Sequence, residues 1–298
     1  MKKICAVVVT YNGMKWISRC LGSLEGSNCP LDIVVVDNSS NDGTPDYISE
    51  KFTHVNLIRS EVNSGFAKAN NIGIRFALDN GADYVFLLNQ DAWVEENSVK
   101  QLYELAETDA SAGIVSPIHL NGEGTALDWG FCGYVPSEFI SDLYFGHLKD
   151  NYYCDFVNAA AWLVKRTCIE KVGGFDTLMF THYGEDSNFC QRAKYHGWRI
   201  AICTNASICH DREFRRSFEN EYRNANFSQK DINKRLEYAN ILYGVDVDSF
   251  ISSNMTSLRK SYVKCKFKQA SRIKEELAFL RKVKESRETN IKGGLNWL

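Results

Sequence analysis

The feature that most constrains this chain is the interleaving of two periodicities along its first hundred residues. Short β-branched runs at residues 4 to 9 and 32 to 37 alternate with helix-length amphipathic stretches at 14 to 24 and 66 to 79, and another apolar run, YVFLLN, occupies 84 to 89. Strands separated by helix-length segments make βαβ units, so the pattern predicts an α/β fold with a mainly parallel central sheet flanked by helices. In such sheets ligands bind beyond the carboxyl ends of the strands. The first candidates are therefore Thr10, Tyr11 and Asn12 after VVV, Asp37 to Ser40 after IVVV, and Asn89, Gln90 and Asp91 after VFLL. Ordinary turn and helix-capping chemistry accounts for Asn12, Ser39 and Ser40 but poorly for Asp91.

After about residue 110 the alternation lapses. Residues 117 to 155 are rich in glycine and aromatics, among them Trp129, Phe131, Tyr134, Tyr144, Phe145, Tyr152 and Tyr153, and read as loops and short strands over a cleft. Sugar rings stack on such aromatics, although a second core layer explains most of them. A helix is expected at 184 to 196, with Phe189, Cys190 and Ala193 on its apolar side and Gly197 as its stop, followed by a strand, RIAIC. Beyond 228 the pattern is helical, with Ile273, Leu277 and Leu280 on one stripe, and the terminal GGLNWL is expected to fray.

With 298 residues, 44% hydrophobic and 24% charged, the chain can bury one large core and still carry an appendage. The expected division is a main domain over 1–227, with halves at 1–110 and 111–227, and a helical extension over 228–298. No apolar stretch reaches membrane-spanning length, and MKKICAVVVTYNG reads as a strand rather than a signal peptide, so a cytoplasmic protein is expected. The ten cysteines are scattered singly, as at Cys5, Cys132, Cys168 and Cys203, which predicts reduced and mostly buried thiols; Cys203, Cys209 and His210 lack the second paired ligands of a structural zinc site. Residues 259 to 292 hold twelve Lys/Arg against four acids, so that segment is +8 and the rest of the net −2 chain is −10. A basic helical tail suits an anionic membrane surface or an acidic partner, or a plain solvated hairpin that mediates dimerisation; nucleic acid is not expected.

The first strand ends in TYNGMKW, with neither G-x-G-x-x-G nor G-K-[ST], which disfavours a dinucleotide oxidoreductase or a P-loop enzyme. A diphosphate held without a glycine cradle needs cations, and a strand-end carboxylate such as Asp91 carrying Mg²⁺ or Mn²⁺ supplies one. Glu185 and Asp186 open the expected helix, where negative charge suits the dipole. Direct transfer of a sugar to a hydroxyl also requires a carboxylate to take the acceptor proton, and Asp186 fits that role. His210 heads a cationic stretch with Arg212, Arg215 and Arg216, suited to a metal or to a leaving diphosphate.

Taken in order, VVVTYNG, VVVDNSSNDGT, NSGFAKANNIGI, FLLNQD, VGGFD and GEDSNFCQRAKYHGW resemble glycosyltransferase family 2, most closely its rhamnosyltransferase-like branch, over about residues 4 to 216. The resemblance implies a glycosyltransferase A-type fold with a Rossmann-like nucleotide-binding half, a nucleotide-sugar donor (dTDP- or UDP-linked, dTDP-L-rhamnose among the candidates), an inverting single displacement, and Mg²⁺ or Mn²⁺ bound by an Asp-x-Asp element. By similarity, Thr10, Tyr11, Asn12, Asp37 and Asn38 would hold base and ribose. Asn63, Gly65, Phe66, Ala67 and Asn70, with Asn89, Gln90 and Arg216, would border nucleotide and sugar. Asp91 would bind metal, His210 would complete the metal or diphosphate site, and Asp186, beside Glu185, would be the base. Asn89 stands where the first acid of Asp-x-Asp is usual, and Asn188 where relatives often carry an acid. The implied acceptor is a growing glycan or lipid-linked oligosaccharide at the inner face of the membrane. The competing expectations are a sugar-binding or scaffold protein without turnover and a nucleotidyltransferase, which the missing glycine-rich loop disfavours.

Overall fold

A computed structural model describes residues 1–212 and 228–298. Nine strands form one sheet among the described residues: β1 (Ile4–Thr10), β2 (Asp32–Asp37), β3 (Asn56–Arg59), β4 (Tyr84–Asn89), β5 (Ala92–Val94), β6 (Ala112–Asn121), β7 (Asn151–Cys154), β8 (Ala161–Lys165) and β9 (Arg199–His210). The first half, in order β3-β2-β1-β4, is parallel. β8 then runs antiparallel to both β4 and β6, and β9 returns parallel to β6. The far edge of β9 is shared, with β7 on residues 200–203 and β5 on residues 208–210. A register shift against β6 between Pro117 and Ile118 separates the two halves of β9.

Successive residues of β1 serve opposite layers, as the two-residue repeat of a strand requires. Ala6 and Val8 pack with Ile17 and Leu21 of α1 (Ile17–Glu25), Ile48 of α2 (Thr44–Lys51), and Val99 and Leu102 of α4 (Ser98–Thr108). Cys5 and Val7 pack with Ile74 of α3 (Phe66–Asp79), Val172 of α7 (Arg166–Val172) and Phe189 of α8 (Glu185–Tyr195). Covering on both faces explains why the strands read as continuous apolar runs rather than alternating ones. All ten cysteines are free thiols, and only Cys132 and Cys265 are exposed.

The region expected to be loops and short strands contains two helices, α5 (Trp129–Cys132) and α6 (Ser137–Phe145), before β7. Their apolar residues were visible, but Phe131, Phe139 and Tyr152 point inward to a small separate cluster with Ile202, so the segment has a core of its own. A second correction concerns GGLNWL. Asn71 Nδ2 donates to Trp297 O at 2.9 Å, Gly174 N to Asn296 O at 2.8 Å, and Trp297 Nε1 to Asn290 Oδ1 at 2.9 Å, while Leu298 packs on the core. The segment is pinned because it satisfies buried polar groups of the GGFD loop that would otherwise lack partners.

After 228 the chain forms α9 (Gln229–Ala239), α10 (Val247–Val263) and α11 (Phe267–Lys292). Ala239, Val247, Leu280 and Val283 close over Met179 and Phe180. Asp176 is the polar lock of this contact. One oxygen accepts Leu178 N and Met179 N, and the other accepts Ser286 Oγ and Asn290 Nδ2, all but the Leu178 bond being buried. Asp176→Ala leaves several of those donors buried without partners, so a loss of about 3 kcal/mol or more is expected. Urea unfolding should show it as a lowered midpoint of one transition; two separated transitions would mean that residues 228–298 fold as an independent unit. No helix among the described residues is long and apolar enough to cross a membrane.

Candidate active site

The carboxyl ends of β1, β2 and β4 meet through side-chain hydrogen bonds. Gln90 joins two of them: its Oε1 accepts Thr10 Oγ1 at 2.7 Å and Tyr11 N at 2.9 Å, and its Nε2 donates to Tyr11 O at 3.2 Å. Asn12 N donates to Ser40 Oγ and Asn12 Oδ1 accepts Asn41 N, tying the β1 end to the β2 end. Asn38 Nδ2 donates to Asn63 Oδ1 at 2.9 Å, and Asn38 Oδ1 accepts Ser64 N at 2.8 Å, which shapes the loop before α3. Asn12, Ser39 and Tyr183 all hold positive φ, 50°, 70° and 66°. Left-handed non-glycine residues cost energy, and these three lie in the loops of the strand-end edge. Asp37 is buried. Its Oδ2 accepts Ser40 N at 3.1 Å, whereas Oδ1 has no hydrogen-bond partner among the described residues.

Gly65, at φ 85°, brings that loop against the segment before α8. A Cβ there would stand 2.3 Å from Thr181 O. Gly65→Ala therefore combines a left-handed strain with a backbone clash, and about 2 kcal/mol of destabilisation is expected in thermal or urea unfolding. Phe66 packs edge-on against Phe175 at 6.0 Å, Ala67 is fully buried, and Asn70 Nδ2 donates to Phe66 O. The side chains of these three thus serve α3 and its packing, and they border the edge through the helix that carries them.

The pairing of β5 with β9 sets the second cluster. Ala92 lies opposite His210, and Asp211 N donates to Asp91 O at 2.9 Å, so Asp91 and His210 become neighbours. Both are buried, and His210 Nε2, 3.5 Å from Asp91 Oδ1, has no hydrogen-bond partner among the described residues. On the other side of the ring, Arg212 Nε donates to His210 Nδ1 at 3.3 Å and stands 3.5 Å from Asp128 Oδ2, itself 4.0 Å from His210 Nδ1. His119 lies beneath, its ring 6.4 Å from that of His210, held by Ser116 Oγ at 3.0 Å and kept neutral because burial pushes its pKa well down. Among the described residues no three His, Cys, Asp or Glu side chains form a metal cage. A buried carboxylate beside an imidazole nitrogen that has no hydrogen-bond partner among the described residues nonetheless offers two ligands to a cation that takes its others from phosphate oxygens and water.

Asp186 completes the arrangement from α8. It is half-buried, and burial raises its pKa above the ordinary carboxylate value, opposed by N–H bonds from Ser187 and Ala159 and by the charge of Arg212. Ala159 precedes Ala160, whose carbonyl accepts Asn89 N at 2.9 Å, so Asp186 and the end of β4 are fastened to the same short segment. Glu185 is buried in the first turn of α8, where its charge suits the helix N-terminus. Arg215 and Arg216 lie outside the described residues. The residues that sequence reasoning missed are Asp128 and His119. Asp128 reads as an ordinary N-cap, which it also is, accepting Phe131 N at 2.8 Å.

The glycosyl transferase family 2 model matches residues 5–172. The dTDP-rhamnosyl transferase RfbF of Shigella flexneri is 26% identical over 70% of this chain and 68% of its own length. The N-acetylglucosaminyl-diphospho-decaprenol L-rhamnosyltransferase of Mycobacterium tuberculosis is 24% identical over 68% and 74%. A crystal structure of GalNAc-T7 with UDP, GalNAc and Mn²⁺ superposes with a TM-score of 0.59 at 16% identity, over 71% of this chain and 44% of that one. With the motifs carried on a glycosyltransferase A-type sheet, the chain belongs to glycosyl transferase family 2 and is a glycosyltransferase.

Proposed function

We propose that this glycosyltransferase is an inverting enzyme that moves a sugar, a deoxyhexose such as rhamnose, from a dTDP- or UDP-linked donor to a hydroxyl of a lipid-linked glycan at the inner membrane face. The observation that carries it is the convergence on Arg212 of two groups: the adjacent, buried Asp91 and His210, and the half-buried Asp186 with its raised pKa. The names of the two rhamnosyltransferase relatives support the donor, and that of the mycobacterial one a lipid-diphosphate acceptor.

In this reading Asp37 Oδ1 accepts an N–H or O–H of base or ribose, and Tyr11, 45% exposed beside it, covers the base. A bound divalent cation, held by Asp91 and His210, would neutralise negative charge on the leaving diphosphate. Asp186 takes the acceptor hydroxyl proton as the new carbon–oxygen bond forms and the bond from the sugar to the diphosphate breaks. Arg212 holds its positive charge between the departing diphosphate and the base. The test is a thermal-shift series with UDP, dTDP, GDP and CDP, each with and without Mn²⁺, since a ligand of the native state raises apparent stability. Metal-dependent stabilisation by one diphosphate identifies the donor's nucleotide; no shift with any of them favours a protein without turnover.

A further inference from the structure

The basic tail is not evenly basic. Residues 249–274 hold seven Lys/Arg, Arg259, Lys260, Lys264, Lys266, Lys268, Arg272 and Lys274, and no acid. The acids of the tail lie elsewhere and are partly engaged, as Asp248 with Lys284 at 2.6 Å and Glu276 with Lys234 at 2.7 Å. The first of these pairs joins the start of α10 to the far half of α11, and Lys274 stands over the Tyr262 ring at 5.5 Å, so the two helices are an antiparallel hairpin with its turn at residues 264–266. Residues 262–269 are exposed without interruption. Among them Val263 is 85% exposed and Phe267 65%, the most exposed large apolar side chains of α10 and α11. None of Arg259, Lys260, Lys264, Lys266 and Lys268 makes an ion pair among the described residues.

We infer that the tip of this hairpin, Val263 and Phe267 ringed by Arg259, Lys260, Lys264, Lys266 and Lys268, docks the enzyme on an anionic lipid bilayer. Apolar side chains enter the headgroup boundary while the surrounding cations meet lipid phosphates, the two-part recognition that stable peripheral binding needs. The acidic body does not cancel it. Ser286, where α11 bonds to Asp176, lies nineteen helical positions beyond Phe267, which is roughly 28 Å along the axis at the usual helical rise. That exceeds the Debye length of about 8 Å at physiological salt several times over, so the −10 of the remaining chain is screened at the tip. A second copy is disfavoured as the occupant because two such tips repel, and a nucleic acid has no use for an exposed aliphatic Val263 at the apex. The inference gives the membrane location proposed above a specific surface and rests on that part of the proposal alone.

The experiment is co-sedimentation of the full chain with vesicles rich in phosphatidylglycerol and with pure phosphatidylcholine vesicles, at low and high salt. Lys264→Gln/Lys266→Gln/Lys268→Gln is expected to reduce binding to the anionic vesicles by about a hundredfold, and Val263→Ser/Phe267→Ser by at least tenfold with less salt dependence remaining to be lost. An environment-sensitive fluorophore on Cys265, in a Cys132→Ser background, should shift to the blue on the same vesicles. Equal binding to both lipids, wild-type binding by both variants, or a dye response to nucleic acid or to self-association instead of lipid overturns the inference. The metal-dependent diphosphate shift should be unchanged in both tip variants. Absence of vesicle binding by the unaltered chain with its diphosphate shift intact overturns the docking surface and leaves the transferase reading standing, and vesicle binding without any diphosphate shift does the opposite.

Discussion

Asp186→Asn is expected to lower sugar transfer by about 10²–10⁴-fold while leaving diphosphate binding unchanged, because the amide keeps the volume and its one carbonyl oxygen can still accept the Ser187 N–H, but it cannot take a proton. The pH profile supplies a second reading. Burial raises the Asp186 pKa, so the acid limb of kcat/KM should lie above the ordinary carboxylate range and should vanish from the residual activity of the variant. Stability supplies a third, with the opposite sign. A carboxyl whose folded pKa exceeds its unfolded value favours folding only while it is protonated, and that contribution is lost as pH rises through the folded pKa. At neutral pH the charged Asp186 is therefore a cost, and the asparagine variant should melt slightly higher than the parent, not lower. Undiminished transfer would remove Asp186 as the base. A lowered melting temperature would instead assign the lost activity to a damaged fold.

The parts of this fold written in local periodicity were legible. β2 and β4 occupy the runs 32–37 and 84–89, and α3 occupies 66–79, because each is bordered by turn residues and long enough to repeat its pattern. β3 and β5, of four and three residues, are too short to carry a period. α6 was hidden because Ile140, Leu143, Tyr144 and Phe145 are exposed on it, which blurs its apolar stripe. In the candidate site, Asp91 and His210 could be named singly from strand ends and charge. Their adjacency follows from Ala92 pairing with His210, a register between residues far apart in sequence that no local pattern encodes. The same pairing explains why Asp128 went unread: an aspartate before a short helix carries no mark of the imidazole that the sheet will bring to it.

That imidazole allows the proposed metal role to be tested without measuring turnover. Asp91→Ala and His210→Ala are each expected to abolish most of the Mn²⁺-dependent part of the diphosphate thermal shift while sparing the metal-independent part. The effects should be strongly non-additive, since two residues that hold one ion act as a unit. Asp128→Asn should weaken the same response less, by about 10–100-fold in metal affinity, the range seen when the partner of a ligating histidine is removed. Its reason is the ring tautomer. With Arg212 Nε donating to Nδ1, the neutral His210 ring carries its proton on Nε2, facing Asp91. Binding a cation through Nε2 requires that proton on Nδ1, and Asp128 Oδ2 is the nearby carboxylate that can accept a hydrogen bond from it. Calorimetric titration of Mn²⁺ into the diphosphate complex reads this directly. An Asp128→Asn variant with parental Mn²⁺ affinity would show that His210 does not ligate through Nε2, and donor affinity indifferent to Asp91→Ala would place the cation, if one binds, on groups other than this pair.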